Sequence, residues 1–328
     1  MDSAVAALLA LRAGMKVIGV TLFTPGARPE LAAATCRELG IEFRPIDARE
    51  RFEQCVVREF VDDWARGLTP NPCIECNPRV KFELLAREAD ALGAASIVTG
   101  HYARIRRCGN ELHLLRAIEA SRDQSYVLHR LAQPVLGRLS LPVGEIGKDE
   151  VRRLAADAGL SAAERGASQD MCFTPDIAAL IGERRPEALR PGPIVDTQGR
   201  EIGRHRGLAR YTVGQRRGLG IGGPGGRAFV LRIDAERNTL VVGAEEDLWV
   251  ERTQIERVHT IGDVPAERFE ASVMTRYRGA ETPATVEREG DRATVHFHRP
   301  HRAPAPGQSA VFYGAQRCLG GGVIVAAG

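Results

Sequence analysis

Two closely spaced cysteines, in Cys73-Ile74-Glu75-Cys76, have the spacing of half a zinc site, a redox pair or part of an iron–sulfur site. They lie in Thr69-Pro70-Asn71-Pro72-Cys73-Ile74-Glu75-Cys76-Asn77-Pro78, where three prolines predict a stiff loop. A closed zinc site needs four ligands, and no second Cys-x-x-Cys occurs, so structural zinc is disfavoured while a mixed Cys/His site stays open. Cys172 stands in a second polar loop, Ser168-Gln169-Asp170-Met171-Cys172-Phe173-Thr174-Pro175, and could equally be a core thiol. Cys36 and Cys55 fall within expected helices, Cys108 and Cys318 have nothing nearby to activate them, and all four read as structural. Gly218-Leu219-Gly220-Ile221-Gly222-Gly223 fits G-x-G-x-x-G but follows no clear strand and runs into Pro224, so a dinucleotide fingerprint is rejected. No G-x-x-x-x-G-K-[ST] occurs either.

Charge is uneven along the chain. Its 328 residues carry 45 Lys+Arg and 42 Asp+Glu, net +3, but residues 1–180 are at −1 and 181–328 at +4. Seven Arg and no acidic residue lie between Arg204 and Arg232, a field that either attracts a polyanion or marks a solvated loop. Only Lys16, Lys81 and Lys148 are lysine, a bias that suits phosphate recognition and that a GC-rich genome would also produce. The 44% hydrophobic content suffices for a sizeable core, and no apolar run approaches the ~20 residues of a membrane helix. An odd count of seven Cys and no signal-peptide pattern lead us to expect a cytoplasmic protein with reduced thiols and no membrane association.

The elements that must position these residues change character along the chain. Helical spacing at 3–13, 29–39, 49–65 and 80–92 alternates with strand-like 16–23, 42–46 and 95–99, which predicts βαβ units and a buried parallel sheet. Ligands of such sheets bind at the carboxyl ends of the strands. A helix at residue 2 or 3, capped by Asp2 or Ser3, precedes the first strand without the βα turn that should deliver it. From about 190, short strands at 228–233, 239–242, 269–277, 284–289, 293–298, 309–313 and 323–326 predict small antiparallel modules, the last a β-barrel. The expected domains are 1–185, 186–243 and 244–328.

The segments TPNPCIECNPRVKF (69–82), TGHYARI (99–105), RDQSYVL (122–128), SQDMCF (168–173), GPIVDTQGREIG (192–203), YTVGQRRGLGIGG (211–223), TRYRG (275–279) and PGQSAVFY…CLGGG (306–322) resemble, in order and nearly end to end, the bacterial tRNA-specific 2-thiouridylase family. The resemblance implies an α/β ATP-pyrophosphatase (PP-loop) domain followed by two small, mainly β modules that help hold tRNA. It implies a tRNA-uridine 2-sulfurtransferase: ATP and Mg²⁺ adenylate the wobble uridine O2, and a persulfide delivers sulfur to C2. By position Cys172 resembles the persulfide carrier and Cys76 the partner thiol, which can form a disulfide with it. Asp2, Ser3, Leu22 and Gly100 match nucleotide-contacting positions. Asn71, Pro72 and Cys73 match the segment that meets the target base. Arg122, Asp123, Gln124, Arg276 and Tyr277 match tRNA contacts, and an Arg beside a Tyr suits phosphate contact plus base stacking. The implied partners are tRNAs of the Lys, Glu and Gln type and a persulfide donor, either a cysteine desulfurase or a sulfur relay protein.

Two departures from the family pattern shape the expectations. Of its N-terminal Ser-Gly-Gly-Val-Asp-Ser only Asp2-Ser3 are present, with Met1 in the Val position, so the turn that would cradle pyrophosphate is missing. We expect a mis-assigned start, a GTG codon read as Met, and higher activity once the missing residues are restored. Many relatives carry Asp where Cys73 stands, so Cys73 is either a resolving or bystander thiol or, with Cys76 and Cys172, a ligand of a [4Fe–4S] cluster. The rival functions are a small-molecule PP-loop ligase and an inactive tRNA-binding remnant.

Overall fold

A computed structural model describes residues 1–164, 171–221 and 228–327. The first part is α/β. Helix α1 (Asp2–Arg12) leads to β1 (Ile18–Phe23), and α2 (Pro29–Glu38) returns the chain to β2 (Glu42–Asp47). β1 and β2 pair in parallel along their whole lengths, from Ile18↔Glu42 to Phe23↔Asp47. A second parallel pair, β3 (Ile97–Val98) with β6 (Leu139–Ser140), makes a separate two-stranded sheet. Parallel pairing was expected, but β1 is half-buried at all six positions rather than buried, because among the described residues only β2 pairs with it.

The 49–65 segment is one helical run, α3 (Arg49–Phe52) and α4 (Arg58–Ala65) joined by a π-turn at Glu53–Val57. The cysteine segment corrects the expectation of a loop. Pro72–Cys76 forms α5, and a π-turn at Asn77–Lys81 carries it into α6 (Phe82–Ala91). Pro72 occupies the first turn, where its missing N–H costs nothing, and the Asn71 side chain caps the helix. Pro78 falls in the π-turn, the register break that absorbs a residue unable to donate.

A hairpin of β4 (Ala103–Cys108) and β5 (Glu111–Arg116) follows, then α7 (Ser125–Leu128), α8 (Gln133–Leu136), α9 (Lys148–Asp157) and α10 (Ile177–Arg184). β7 (Gly192–Val195), β8 (Glu201–His205), β9 (Phe229–Asp234) and β10 (Thr239–Gly243) form a four-stranded sheet ordered β8-β7-β10-β9. The last part comprises β11 (Trp249–Thr260), β12 (Arg268–Met274), β13 (Glu281–Glu289), β14 (Arg292–Arg302), β15 (Ser309–Gly314) and β16 (Arg317–Ala327). Its order β11-β14-β13-β12-β15-β16 closes through β16–β11, giving the expected barrel.

The β4–β5 hairpin, absent from the sequence expectation, joins the barrel sheet through Arg317↔Leu115 and Cys318↔Leu114. One apolar core runs through that junction, packing Ile74, Phe82, Tyr126 and Leu131 with Ile261, Met274, Val311 and Tyr313. The barrel is therefore fused to the α/β part by strand pairing and by a shared core, and it stands as a fixed support for the cysteine helix.

Candidate active site

The short α5 helix is held from several directions. Asn71 Oδ1 accepts the Cys73 N–H at 3.1 Å, and buried Asn77 donates Nδ2–H to the Val127 carbonyl at 2.8 Å. Upstream, the Thr69 N–H bonds to the Pro306 carbonyl at 2.7 Å, Gln308 donates to the Thr69 carbonyl at 2.5 Å, and the Thr69 and Thr212 hydroxyls meet at 2.6 Å. All three parts of the fold thus meet at the entrance to the cysteine helix.

Cys172 reaches the same place from another direction. Phe173 packs edge-on against Phe52 and Phe60, at 5.5 and 5.3 Å between ring centroids, and Phe173, Cys76 and Leu22 all pack on one apolar cluster. Gly26, in the turn after β1, has φ +79°, and a Cβ there would overlap the Cys172 carbonyl oxygen. Only glycine satisfies both demands. Cys73 and Cys172 are exposed and Cys76 is half-buried, with all three thiols free.

The three thiols share one electrostatic environment. Partial burial is the main cause that raises each thiol above its ordinary value, and for Cys76, pushed up to about 11, Cys172 and Cys73 add to the rise. The opposing charge is the same in all three cases, the Lys81 ammonium at the end of the π-turn. Lys81 Nζ lies 3.2 Å from His101 Nε2, and His101 Nδ1 lies 2.8 Å from Thr99 Oγ1. Burial, then Lys81, holds His101 well below its usual range and so neutral. Since an ammonium only donates, Nε2 accepts from Lys81 and Nδ1–H donates to Thr99. In the sequence Lys81 and His101 stand only as letters of longer motifs. One of just three lysines in an arginine-rich chain was the available signal.

Asp2, Ser3 and Gly100 lie together. A Cβ on Gly100 would strike the backbone of Asp2 and Ser3, so the glycine admits the start of α1. The Asp2 carboxylate accepts from Tyr102 Oη at 2.9 Å and Lys148 Nζ at 2.5 Å, and Ser3 is exposed. The first amides of an 11-residue helix beside an exposed serine fit the phosphates of a nucleotide, and Leu22 stands near the carboxyl end of β1. No group of three or more His, Cys, Asp or Glu among the described residues is arranged to hold a metal ion, so the [4Fe–4S] alternative for Cys73, Cys76 and Cys172 gains no support.

The expected RNA-contacting residues divide. Arg122 is half-exposed with Glu119 at 3.8 Å, and Arg276 is exposed. Asp123 is buried, its carboxylate accepting from the Ala117 N–H, the Ser125 N–H and the Ser125 hydroxyl, with Arg116 at 3.8 Å. Its side chain is therefore structural. Gln124 Oε1 accepts the Tyr102 N–H at 3.0 Å, and Tyr277 packs on Tyr126 at 5.8 Å while donating to the Asp123 carbonyl. Asn71 and Pro72 are half-buried at the head of the cysteine helix. In the arginine-rich stretch Arg206, Arg210, Arg216 and Arg217 are exposed, and among the described residues their guanidiniums have no acidic partner. Residues 165–170, with Ser168, Gln169 and Asp170, and 222–227, with part of the glycine run and Arg227, lie outside the described residues.

Residues 1–176 match the family described as tRNA methyl transferase HUP domain, 179–244 the tRNA methyl transferase PRC-barrel domain, and 250–324 the aminomethyltransferase beta-barrel domain. The tRNA-specific 2-thiouridylase MnmA of Chloroflexus aggregans is 46% identical, over 99% of this chain and 95% of that protein. The proteins of that name from Roseiflexus castenholzii and Geobacter metallireducens are each 41% identical, over 99% and 100% of this chain and 96% and 95% of their own lengths. With identity at this level over essentially the whole length, the chain belongs to the tRNA-specific 2-thiouridylase family.

Proposed function

We propose that the chain is a tRNA-uridine 2-sulfurtransferase that converts the wobble uridine of Lys-, Glu- and Gln-type tRNAs to 2-thiouridine in the cytoplasm. The observation that supports the reading most is that Cys76 and Phe173, the neighbour of Cys172, pack on one apolar cluster with Leu22 of β1, while Gly26 after β1 abuts the Cys172 carbonyl. ATP is the co-substrate: uridine O2 attacks the α-phosphorus and pyrophosphate leaves. Mg²⁺, when bound with it, neutralises the phosphate charge. The start of α1 faces the phosphates, and Leu22 marks the adenine side.

Cys172 carries a persulfide received from a cysteine desulfurase or relay protein. Its terminal sulfur attacks C2 and expels AMP, leaving a Cys172–S–S–C2 link. The Cys76 thiolate then attacks Cys172 Sγ, releasing 2-thiouridine and forming a Cys76–Cys172 disulfide, which an external dithiol reduces. Lys81 favours each thiolate in turn, offsetting the burial that otherwise keeps the thiols protonated. Cys73 sits in the same field as a resolving thiol.

The four exposed arginines of 206–217 support the RNA reading, because Thr212 ties that stretch to Thr69 beside the cysteine helix. A small-molecule ligase would have no use for them. The test is chromatography of tRNA nucleosides from a strain lacking the gene. We expect 2-thiouridine derivatives to be lost and to return with the wild-type gene but not with Cys76→Ala or Cys172→Ala. Unchanged 2-thiouridine in the deletion strain refutes the reading and leaves the inactive remnant or the small-molecule ligase.

A further inference from the structure

Between Cys73 and Cys76 stands a carboxylate that the sulfur chemistry does not use. Glu75 faces three guanidiniums: Arg79 at 3.3 Å, Arg257 at 2.8 Å, and Arg130 in direct contact on the same oxygen as Arg257. Arg79 also binds Glu59 at 2.6 Å. The Glu75 side chain is 17% exposed and that of Arg130 21%, so salt screens that pair less than a surface pair, whereas Arg257 reaches Glu75 from the solvent side with its side chain 48% exposed.

Arg257 comes from β11 of the barrel, 182 positions further along the chain. Its backbone is left-handed, with φ +57°, a conformation non-glycine residues adopt rarely. It also falls where the β11–β16 register breaks, between Glu256 and His259. A bulge re-aims a side chain, and such strain persists where surrounding contacts over-determine it. Here the re-aimed side chain leaves the barrel and ends on the cysteine helix. That helix, Pro72–Cys76, is the first turn of the helical run that continues through the π-turn into α6, and the first turn is where a helix frays unless side chains hold it.

We propose that Glu75 and Arg257 form a latch from the barrel to the cysteine helix, which makes both of them positioning residues for Cys76. The inference rests on the sulfur-transfer reading for its consequence in turnover, but the latch itself is a statement about where Cys76 is held. Asn77 fastens one side of the segment to Val127, and Glu75 fastens another to Arg130 and Arg257. Removing the carboxylate charge leaves three guanidiniums repelling one another at the foot of the helix. Removing Arg257 takes away the ionic tie to the barrel, leaving Ile74 in the shared core and Thr69 bonded to Pro306 and Gln308, while Arg79 and Arg130 still compensate Glu75.

The test uses the full chain and the variants Glu75→Gln, Arg257→Gln, Arg257→Lys and the double Gln variant. Iodoacetamide labelling of each cysteine, read by peptide mass spectrometry without tRNA, reports the position of Cys76. Labelling of Cys76 is expected to rise at least about fivefold in both single Gln variants and no further in the double, as for two partners of one interaction. Buried Cys36, Cys55 and Cys318 should keep their wild-type rates, and Arg257→Lys should restore most of the protection. In thiolation assays kcat should fall about tenfold while KM for tRNA changes less than about twofold.

Unchanged Cys76 labelling overturns the latch, and so does a parallel rise at the buried cysteines, which marks general loosening. A higher KM with kcat intact makes Arg257 a phosphate contact and also overturns it. If the wild-type protein does not thiolate tRNA, the functional reading fails and the labelling arm still decides the latch.

Discussion

At the scale of single residues the site is governed by one positive charge. Among the described residues Lys81 is the cation that acts on all three clustered thiols, and neutral His101 holds it by accepting its proton in a hydrogen bond. Burial pushes the Cys76 thiol up to about 11, so it is protonated at neutral pH and ionises only as pH rises through that value. Alkylation of Cys76 should therefore keep increasing beyond pH 9, and Lys81→Met should move the profile to still higher pH. A profile levelling off near pH 9 in both proteins would remove Lys81 from the mechanism. His101→Phe keeps the ring against Phe82 but removes the acceptor, and should lower kcat for thiolation more than it raises KM.

At the scale of elements the cysteine helix depends on its cap and on the turn opposite it. Asn71→Ala removes the acceptor for the Cys73 N–H and should cost about 1 kcal/mol, read as a lowered Tm. Gly26→Ala should disturb Cys172 more than it disturbs stability, since the added methyl meets the Cys172 carbonyl at a left-handed position. Thiolation and Cys172 labelling are the readouts, and normal values in both would show that the turn can shift away. Sequence periodicity places the helical run that follows the cysteines but not its start. Three prolines in ten residues suggest a loop, whereas Pro72 in the first turn and Pro78 in a π-turn are both compatible with a helix.

At the scale of the whole molecule the α/β part and the barrel share a core, and His129 is sealed inside the junction. Its Nδ1 bonds to the Tyr126 carbonyl, its Nε2 has no hydrogen-bond partner among the described residues, and a Cβ on Gly321 of the barrel would crowd the ring. Burial lowers its pKa to about 3 against 6.5 for the free side chain. A histidine depressed in this way is neutral in both states above pH 6.5, where its contribution is complete, and below that pH the unfolded chain takes up the proton first. Stability should therefore fall as pH drops from 6.5 towards 3, by up to about 5 kcal/mol from this group. His129→Gln should flatten that part of the profile in denaturant titrations. In the 206–217 stretch, changing Arg206, Arg210, Arg216 and Arg217 together to Gln should weaken tRNA binding and make it less sensitive to salt. The log–log slope of affinity against salt should become shallower by about 0.7 to 0.9 for each phosphate left unneutralised. An unchanged salt slope would mean that these arginines do not meet the RNA backbone.

The sequence by itself determined the order of the parts, the barrel at the end and the residue types available for chemistry, because periodicity, turn residues and short motifs are local properties. Cys76 and Cys172 were legible as reactive candidates through the motifs around them. That they share a site with Lys81 was not, since it depends on Phe173 seating in a cleft made by Phe52 and Phe60 and on Gly26 admitting the Cys172 carbonyl. Tertiary structure also placed the Asp123 carboxylate in a buried network and packed the start of α1 against Gly100. The β4–β5 hairpin and the Arg257 bulge were hidden for the same reason. Strand pairing across two hundred residues and a side chain re-aimed by a register break leave no trace in local spacing. The local pattern specifies which groups the chain has, and long-range packing decides which of them meet.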